Sequence, residues 1–277
     1  MNKTPQFSII TVVYNDAVNL EKTIKSVISQ TYRNYEYIVI DGGSKDNTLD
    51  VIRKYQQHIT LWKSEPDKGI YDAMNKGVVH AKGEFINFLN AGDTYYISTV
   101  LEQIADENNK QNSIEIIYGQ AVRLSSASSQ LKFIKGDKIT TSNLFTSVPF
   151  CHQAIFYKTS IFREIGPYNY SYKVTADYQW LIRYYNSRQC LNKIHFVPSS
   201  LVEYVEGGYS FKNIHRAARE KLKIARTDFD STHRAIGIIY FSCFYVKAYL
   251  IEWLGKLHIL EGYRHVKYRL LKRTVTS

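Results

Sequence analysis

Cysteine is scarce in this chain of 277 residues. Cys151, Cys190 and Cys243 lie far apart and form no C-x-x-C pair, which argues against a zinc site and a disulfide framework and for reduced thiols in a cytosolic setting. No G-x-G-x-x-G follows the first strand-like run, and G-x-x-x-x-G-K-[ST] occurs nowhere, so the common dinucleotide and P-loop modes are disfavoured. The first residues, Met-Asn-Lys-Thr-Pro-Gln, run directly into a strand pattern, so no signal peptide is expected. Near the other end, the uncharged stretch Ala235–Val246 holds 12 residues before Lys247, short of the roughly 18–20 that a bilayer crossing needs.

What is present suffices for a sizeable core. Hydrophobic residues make up 44% and charged residues 22%, ordinary values for one large α/β domain, or one domain with an appendage. The net charge of +11 is uneven: residues 212–277 carry 14 Lys/Arg against 5 Asp/Glu, a net +9, leaving +2 for residues 1–211. Such a tail calls for an anionic partner, nucleic acid or a membrane surface. The 23 Tyr, 13 Phe and 3 Trp fit a carbohydrate-handling or interfacial protein.

Periodicity organises the first ninety residues. Phe7–Tyr14 is a β-branched run typical of a strand buried on both faces. Asn15-Asp16 ends it and can cap a helix with Leu20, Ile24, Val27 and Ile28 on one face. Strands are expected at Tyr35–Ile40, Ile59–Trp62 and Glu84–Leu89, with helices at Asp46–Gln57 and Ile70–Ala81 between them. This alternation predicts a parallel sheet with right-handed crossovers. Beyond it, helices are expected at Ser98–Asn109, Ser160–Ile165 and Ala176–Asn186, and strands at Ile114–Ala121, Cys151–Tyr157 and Ile194–Val197. Arg123–Leu144 reads as a Ser/Thr-rich ribbon and loop, Glu206–Ser210 as a flexible loop.

Asn15, Asp41, Asn90 and Asp93 all follow strands, so a parallel sheet places them on one edge, where open α/β sheets bind ligands. A nucleotide held without a glycine-rich loop needs its phosphate charge neutralised otherwise, most simply by a divalent metal on an acid. Asp93 is the natural candidate, although Asn, Gly and Asp are also plain turn residues.

Four motifs carry a resemblance. S-I-I-T-V-V-Y-N (Ser8–Asn15), V-I-D-G-G-S (Val39–Ser44), D-K-G-I-Y-D-A-M-N-K-G (Asp67–Gly77) and F-L-N-A-G-D (Phe88–Asp93) agree in order and spacing, and residues 7–210 resemble family 2 glycosyltransferases. The resemblance implies a GT-A-type α/β fold: a mixed, mainly parallel sheet flanked by helices. It also implies an inverting enzyme. A catalytic domain would span 1–211, its nucleotide-binding half about 1–97 and its acceptor half about 98–211, with a helical extension over 212–277. The donor would be a nucleotide-sugar, UDP being the commonest nucleotide in the family.

By the same resemblance Thr11, Val13 and Asn15 line the nucleoside pocket and Asp41 meets the base. Asn75 faces the nucleotide, and Lys68 and Asp72 contact phosphate and sugar. Asn90-Ala91-Gly92-Asp93 matches the acidic metal motif but keeps only Asp93 as an acid, implying Mg²⁺ or Mn²⁺ on one carboxylate with Asn90 as a donor contact. Asp177 in T-A-D-Y matches the catalytic base, which takes a proton from the attacking hydroxyl; as an acid in a first helical turn it also suits the helix dipole. His152 is a sugar contact or a structural histidine. Ser210 in E-G-G-Y-S donates to the diphosphate from a closing loop. The Q-x-x-R-W signature of processive synthases is absent, which implies transfer of one sugar per encounter.

A basic helix over Lys212–Asp228 and an apolar one over Ala235–Leu257, followed by Arg264-His265-Val266-Lys267-Tyr268-Arg269, suit peripheral attachment to anionic lipid at the inner face of the cell membrane. There a glycan or polyprenyl-linked acceptor would sit, and nucleic acid would have no part. The alternative is packing on the catalytic domain or a homodimer. Two other function classes stand beside the leading one: a nucleotidyltransferase, and a non-catalytic membrane- or nucleic-acid-binding module.

Overall fold

In the computed structural model, which describes residues 4–256 apart from 111–112, 126–127, 148–149 and 206, β1 (Phe7–Val13) is buried along its whole length. It lies between β2 (Tyr35–Asp41) and β4 (Phe85–Phe88), both parallel to it, and β3 (Leu61–Ser64) extends the parallel set beyond β2. The crossovers are α1 (Ala17–Ile28), α2 (Thr48–Lys54) and α3 (Ile70–His80), as the alternation of patterns predicts. The expected strand at Ile59–Trp62 forms two residues later, because Gln56–His58 closes a short 3₁₀ turn first.

The second half adds β5 (Thr94–Tyr95), β6 (Ile116–Ser125), β7 (Ser128–Lys135), β8 (Ile155–Lys158) and β9 (Ile194–Val205). The sheet order is β3-β2-β1-β4-β8-β6-β9-β5, with β7 beside β6. β8 is antiparallel to β4 and β6, whereas β6 and β9 are parallel. The helices here are α4 (Val100–Lys110), α5 (Thr141–Thr146), α6 (Thr159–Ile165), α7 (Ala176–Arg188), α8 (Tyr209–Lys212), α9 (Ile214–Thr227) and α10 (Ser231–Lys256). The fold is α/β, a mixed sheet flanked by helices with a helical C-terminal part, as the resemblance implies.

Three segments depart from expectation. β9 continues to Val205 because it pairs with β6 as far as Leu124 across a register shift at Gly119–Ala121. The Ser/Thr-rich stretch forms β7 against β6 and then α5, where Thr140 Oγ1 accepts the Asn143 N–H at 3.2 Å and Asn143 Oδ1 accepts that of Thr140 at 2.8 Å. Cys151–Tyr157 opens as a 3₁₀ turn, His152–Ala154, before becoming strand.

Side-chain alternation makes a core on each face of the sheet. Ile9 and Val13 of β1 pack with Leu20, Ile24 and Val27 of α1, and α4 joins them through Leu101 and Ile104. Ile10 and Val12 face α3 through Met74, and Trp180 and Tyr184 of α7 complete that side. The C-terminal helices belong to this second core. α9 buries Ala218 and Ile224, and α10 buries Phe241. Phe145 of α5 stacks on His233 at 4.0 Å and meets Phe229 edge-on at 4.7 Å. Another face of α10 stays open at Ile236, Ile239, Tyr240 and Val246. Among the described residues no helix is long and apolar enough to cross a membrane. The basic cluster from Arg264 onward lies outside the described residues.

Two buried acids tie elements together. Glu36 of β2 accepts hydrogen bonds from Ser8 Oγ at 2.6 Å, from the Gly83 N–H at 3.1 Å and from the Lys82 N–H. Burial raises the Glu115 carboxyl, but Lys193, Arg188 and Tyr184 outweigh that and hold it below its ordinary value. At Gly83 the chain presses on β1: an added Cβ would stand 2.5 Å from the Ser8 backbone N and 2.6 Å from the Phe7 carbonyl carbon. Gly83→Ala is therefore expected to cost ~1–3 kcal/mol through overpacking. The check is a lower denaturant midpoint at unchanged m-value.

Candidate active site

The site is built around the turn after β4. Past Phe88 the chain stays on β1, with the Leu89 N–H donating to Ile10 O at 3.0 Å and the Ala91 N–H to Val12 O at 3.1 Å. Gly92, at φ +98°, then reverses it, a conformation that suits glycine, and the Asp93 N–H closes onto Asn90 O at 3.0 Å. Thr23 of α1 pins this turn from below: its Oγ1 accepts the Gly92 N–H at 3.0 Å and donates to Asp93 O at 2.8 Å. The turn is thus held to both β1 and α1.

Asn90 and Asp93 are each 9% exposed. Burial pushes the Asp93 carboxyl up to about 7, against hydrogen bonds from the Gln153 side chain and the Asn90 backbone. Gln153 sits in the 3₁₀ turn with His152, and these neighbours divide the work. While Gln153 holds Asp93, Asn90 Nδ2 donates to His152 Nε2 at 3.0 Å. His152 Nδ1 then lies 3.6 Å from Asp177 Oδ2, and Tyr71 Oη donates to Asp177 Oδ1 at 2.9 Å. A row of polar groups therefore runs Asn90–His152–Asp177–Tyr71, hydrogen-bonded at its two ends and 3.6 Å apart at the middle step, with Asp93 beside its first member.

The 3₁₀ turn owes its place to Asn87, inside β4 and fully buried. Its Nδ2 donates to Gln153 O and Ile155 O, both at 2.8 Å, and its Oδ1 accepts Tyr95 Oη at 2.9 Å. Asp177 comes from the first turn of α7 and Tyr71 from the first turn of α3.

The other predicted residues divide. Asp41 ends β2 fully buried, and its carboxylate is enclosed by this chain: Oδ2 accepts the Gly43 and Ser44 N–H groups at 3.1 and 3.0 Å and Ser64 Oγ at 2.6 Å, and Oδ1 accepts Ser44 Oγ. Asn15, at φ +49°, is bound to the same turn: its N–H donates to Ser44 Oγ at 2.7 Å and its Oδ1 accepts the Lys45 N–H at 2.8 Å. Thr11 is enclosed within the sheet, its hydroxyl donating to Leu89 O at 2.7 Å and accepting Tyr37 Oη at 3.0 Å. Val13 is buried next to the same strand end.

Asn75 is turned to another task, with its amide paired to both backbone groups of Tyr168 at 2.8 and 2.9 Å. Asp72 accepts the Lys68 N–H at 2.9 Å, as a helix-start acid does. Lys68 Nζ stands over the Tyr170 ring at 5.5 Å, where Lys173 Nζ also lies at 5.8 Å, so two ammonium groups gather at the start of α3. Ser210 lies on the exposed helix α8, preceded by Gly207 and Gly208, around which there is open space.

Gln153, Asn87, Thr23 and Tyr71 were not among the predicted site residues. Gln153 carries a sequence signal as the polar neighbour of His152 at a strand start, and Tyr71 lies inside the Asp67–Gly77 motif. Asn87 and Thr23 look like ordinary strand and helix residues.

The resemblance implies a divalent metal, and the turn offers hard oxygen donors for one. Asn90 Oδ1 is buried without a hydrogen-bond partner, and the Asp93 carboxyl is held in a desolvated place where a cation would favour its charged form. Among the described residues no three His, Cys, Asp or Glu side chains cluster as a metal cage. The fit is therefore to a hard ion held by one carboxylate, an amide oxygen, and oxygens from water or a ligand.

Known proteins share this arrangement of chain. A sequence profile described as Glycosyl transferase family 2 matches residues 8–166. A PGL/p-HBAD biosynthesis glycosyltransferase from Mycobacterium bovis is 33% identical over 210 residues, covering 74% of this chain and 79% of that protein. Among solved structures, residues 1–349 of TarS from S. aureus superpose with a TM-score of 0.63 at 17% identity, over 87% of this chain and 72% of that one. A mannosyltransferase from Pyrobaculum calidifontis, solved with GDP-Man and Mn²⁺, gives 0.59 at 15% identity, over 95% and 83%. At such identities the structures speak for the fold, and the profile and the sequence relative speak for the family. The protein belongs to glycosyl transferase family 2.

Proposed function

We propose that this family 2 glycosyltransferase works by inversion, moving one sugar per encounter from a nucleotide-sugar to a hydroxyl of a surface polysaccharide or lipid-linked oligosaccharide. The observation that carries the reading is the convergence of Asn90, Asp93, His152 and Asp177 at the carboxyl ends of the strands. Asp177 is the base. Tyr71 holds its Oδ1, leaving Oδ2, on the His152 side, to accept the proton of the acceptor hydroxyl as that oxygen attacks C1 opposite the departing diphosphate. His152 orients Asp177 from Nδ1, because the Asn90 amide occupies Nε2.

Asp93, with Asn90 Oδ1, would hold the divalent ion, Mg²⁺ or Mn²⁺, which when bound would neutralise charge on the leaving diphosphate. Lys68 and Lys173 lie on the phosphate side. Asp41 acts on the nucleoside through the turn 41–44 that its carboxylate builds, with Asn15, Val13 and Thr11 supporting that edge. Ser210 is a donor to the diphosphate from α8. The donor class draws support from relatives of the same fold, TarS having been solved with UDP-GlcNAc and the Pyrobaculum enzyme with GDP-Man; UDP-sugars are the first donors to try. The acceptor class draws support from the glycoconjugate role in the mycobacterial relative's name. The open apolar face of α10 beside the basic α9 supports peripheral attachment at the cytoplasmic face of a membrane.

Donor identity is read by thermal shift against a panel of nucleotide-sugars with Mn²⁺ or Mg²⁺. A true donor at 100-fold its Kd adds about 2.7 kcal/mol of stability, and no shift with any member overturns the donor class. Asp177→Asn is expected to retain donor binding and lose turnover by about 10²–10⁴-fold; loss of donor binding would make the residue structural.

Asp93 also leaves a pH signature. It binds its proton more tightly folded, at about 7, than at its ordinary value of 3.8, so its stabilising contribution is present below the latter and is lost as pH rises through the former. Without metal, Asp93→Asn should therefore gain in melting temperature relative to the native protein as pH rises from about 4 to 8. It should also lose the stabilisation by Mn²⁺. A constant offset across that range would return the Asp93 carboxyl to its ordinary value, and an intact Mn²⁺ shift would remove Asp93 from the metal site.

A further inference from the structure

The segment 173–175 leads directly into α7 and so sets where Asp177 stands. Its three successive backbone N–H groups converge on one point. Glu220, from α9 in the C-terminal extension, fills that point. Glu220 Oε1 accepts the Lys173 N–H at 2.8 Å, and Oε2 accepts the Val174 N–H at 2.9 Å and the Thr175 N–H at 3.1 Å. Thr175 Oγ1 donates to the same Oε2 at 3.1 Å. Successive N–H groups of this kind form a concave anion site, and here the anion is a side chain 45–47 residues further along the chain. Glu220 is 11% exposed, and Arg216, one turn earlier on α9, pairs with Oε1 at 3.2 Å.

The other side of the segment is gripped by α3. Tyr71 Oη is 2.9 Å from Val174 O as well as from Asp177 Oδ1. Two elements remote in sequence thus close on one short loop, Glu220 on its N–H groups and Tyr71 through one hydroxyl proton shared between Val174 O and Asp177 Oδ1. Thr175 occupies the N-cap position of α7 and makes no side-chain cap of its own; its hydroxyl and its N–H both donate to Glu220. The start of α7 is therefore set by a carboxylate from outside it.

We propose that Glu220 is a positioning residue for glycosyl transfer: by filling the N–H concavity of 173–175 it holds Asp177 in register with His152 and with the incoming hydroxyl. This rests on Asp177 being the base. Glu220 itself does not touch Asp177, so its effect passes through the backbone, where a displacement of about 1 Å at the reacting group can cost on the order of 10²-fold in rate. The extension is then part of the catalytic apparatus.

The test uses the full chain with Glu220→Ala and Glu220→Gln, the second keeping one acceptor oxygen. Two readouts are taken on each: amide hydrogen exchange over 173–178 with β1 and β2 as internal reference, and turnover with donor Kd measured separately. The expected result is faster exchange at 173–178 with the reference strands unchanged, a kcat lower by about 10- to 100-fold, and an unchanged donor Kd, Glu220→Gln falling between Glu220→Ala and the native protein. Native exchange at 173–178, or faster exchange with native kcat, overturns the proposal. If Glu220→Ala does not fold, the same two measurements on Glu220→Gln decide. If the native protein turns over no nucleotide-sugar, the functional reading above is what fails, and hydrogen exchange alone still judges whether Glu220 holds the loop.

Discussion

A buried amide in the middle of the sheet joins the two halves of the molecule. Asn87 sits in β4 with no access to water, where an unpaired amide costs on the order of 1–3 kcal/mol per group left unsatisfied. Three partners satisfy it: Gln153 O and Ile155 O of the 3₁₀ turn and its following strand, and the Tyr95 hydroxyl of β5. Each comes from beyond the parallel half. The need to satisfy one side chain therefore brings the His152–Gln153 pair against the turn at Asn90–Asp93.

From there the site follows from burial and charge. Central strands covered on both faces hold a polar side chain only where the fold satisfies it, as at Asn87, and the remaining candidates Asn90 and Asp93 follow the strand on the carboxyl edge of the sheet. Water is largely excluded at the Asn90–Asp93 turn, which is why the Asp93 carboxyl is pushed up and Asn90 Oδ1 has no partner. A desolvated acid and a spare amide oxygen suit a cation. Asp177 is placed differently, bound by a tyrosine hydroxyl with the His152 ring 3.6 Å away. One fold edge thus carries two carboxylates in unlike surroundings, a recurring basis for dividing roles between them.

Much of this was legible in the residues. β1, α1, β2 and α3 follow from β-branched runs and from apolar spacing at i, i+4 and i+7, patterns set by neighbours in the chain. The fourth motif pointed to Asp93, and the same resemblance pointed to His152 and to Asp177 in T-A-D-Y; the fold brings these three near one another. Orientation was less legible. Thr11 and Asn75 occupy motif positions, yet the first is enclosed by Leu89 O and Tyr37 Oη and the second by the Tyr168 backbone, because a motif gives a position along the chain and packing decides where the side chain points. Asp41 shows both at once: its place after β2 was expected, and the enclosure of its carboxylate by Ser44 and Ser64 was not. The basic extension, read from composition as a surface-binding tail, also buries Ile224 and Phe241 in the main core.

The sequence by itself determined the parallel α/β half, the family, and the identity of the acids near the strand ends, since these depend on local periodicity and short-range motifs. Only the tertiary structure decided which residues support those acids. Thr23, Tyr71, Asn87, Gln153 and Glu220 are ordinary in type, and the bonds Thr23–Asp93, Tyr71–Asp177 and Asn87–Gln153 close over 70, 106 and 66 residues, those of Glu220 over 45 to 47. A hydrogen bond closed across such a span leaves no periodic trace in the chain. It exists because burial left a polar group needing a partner and the fold brought one within reach.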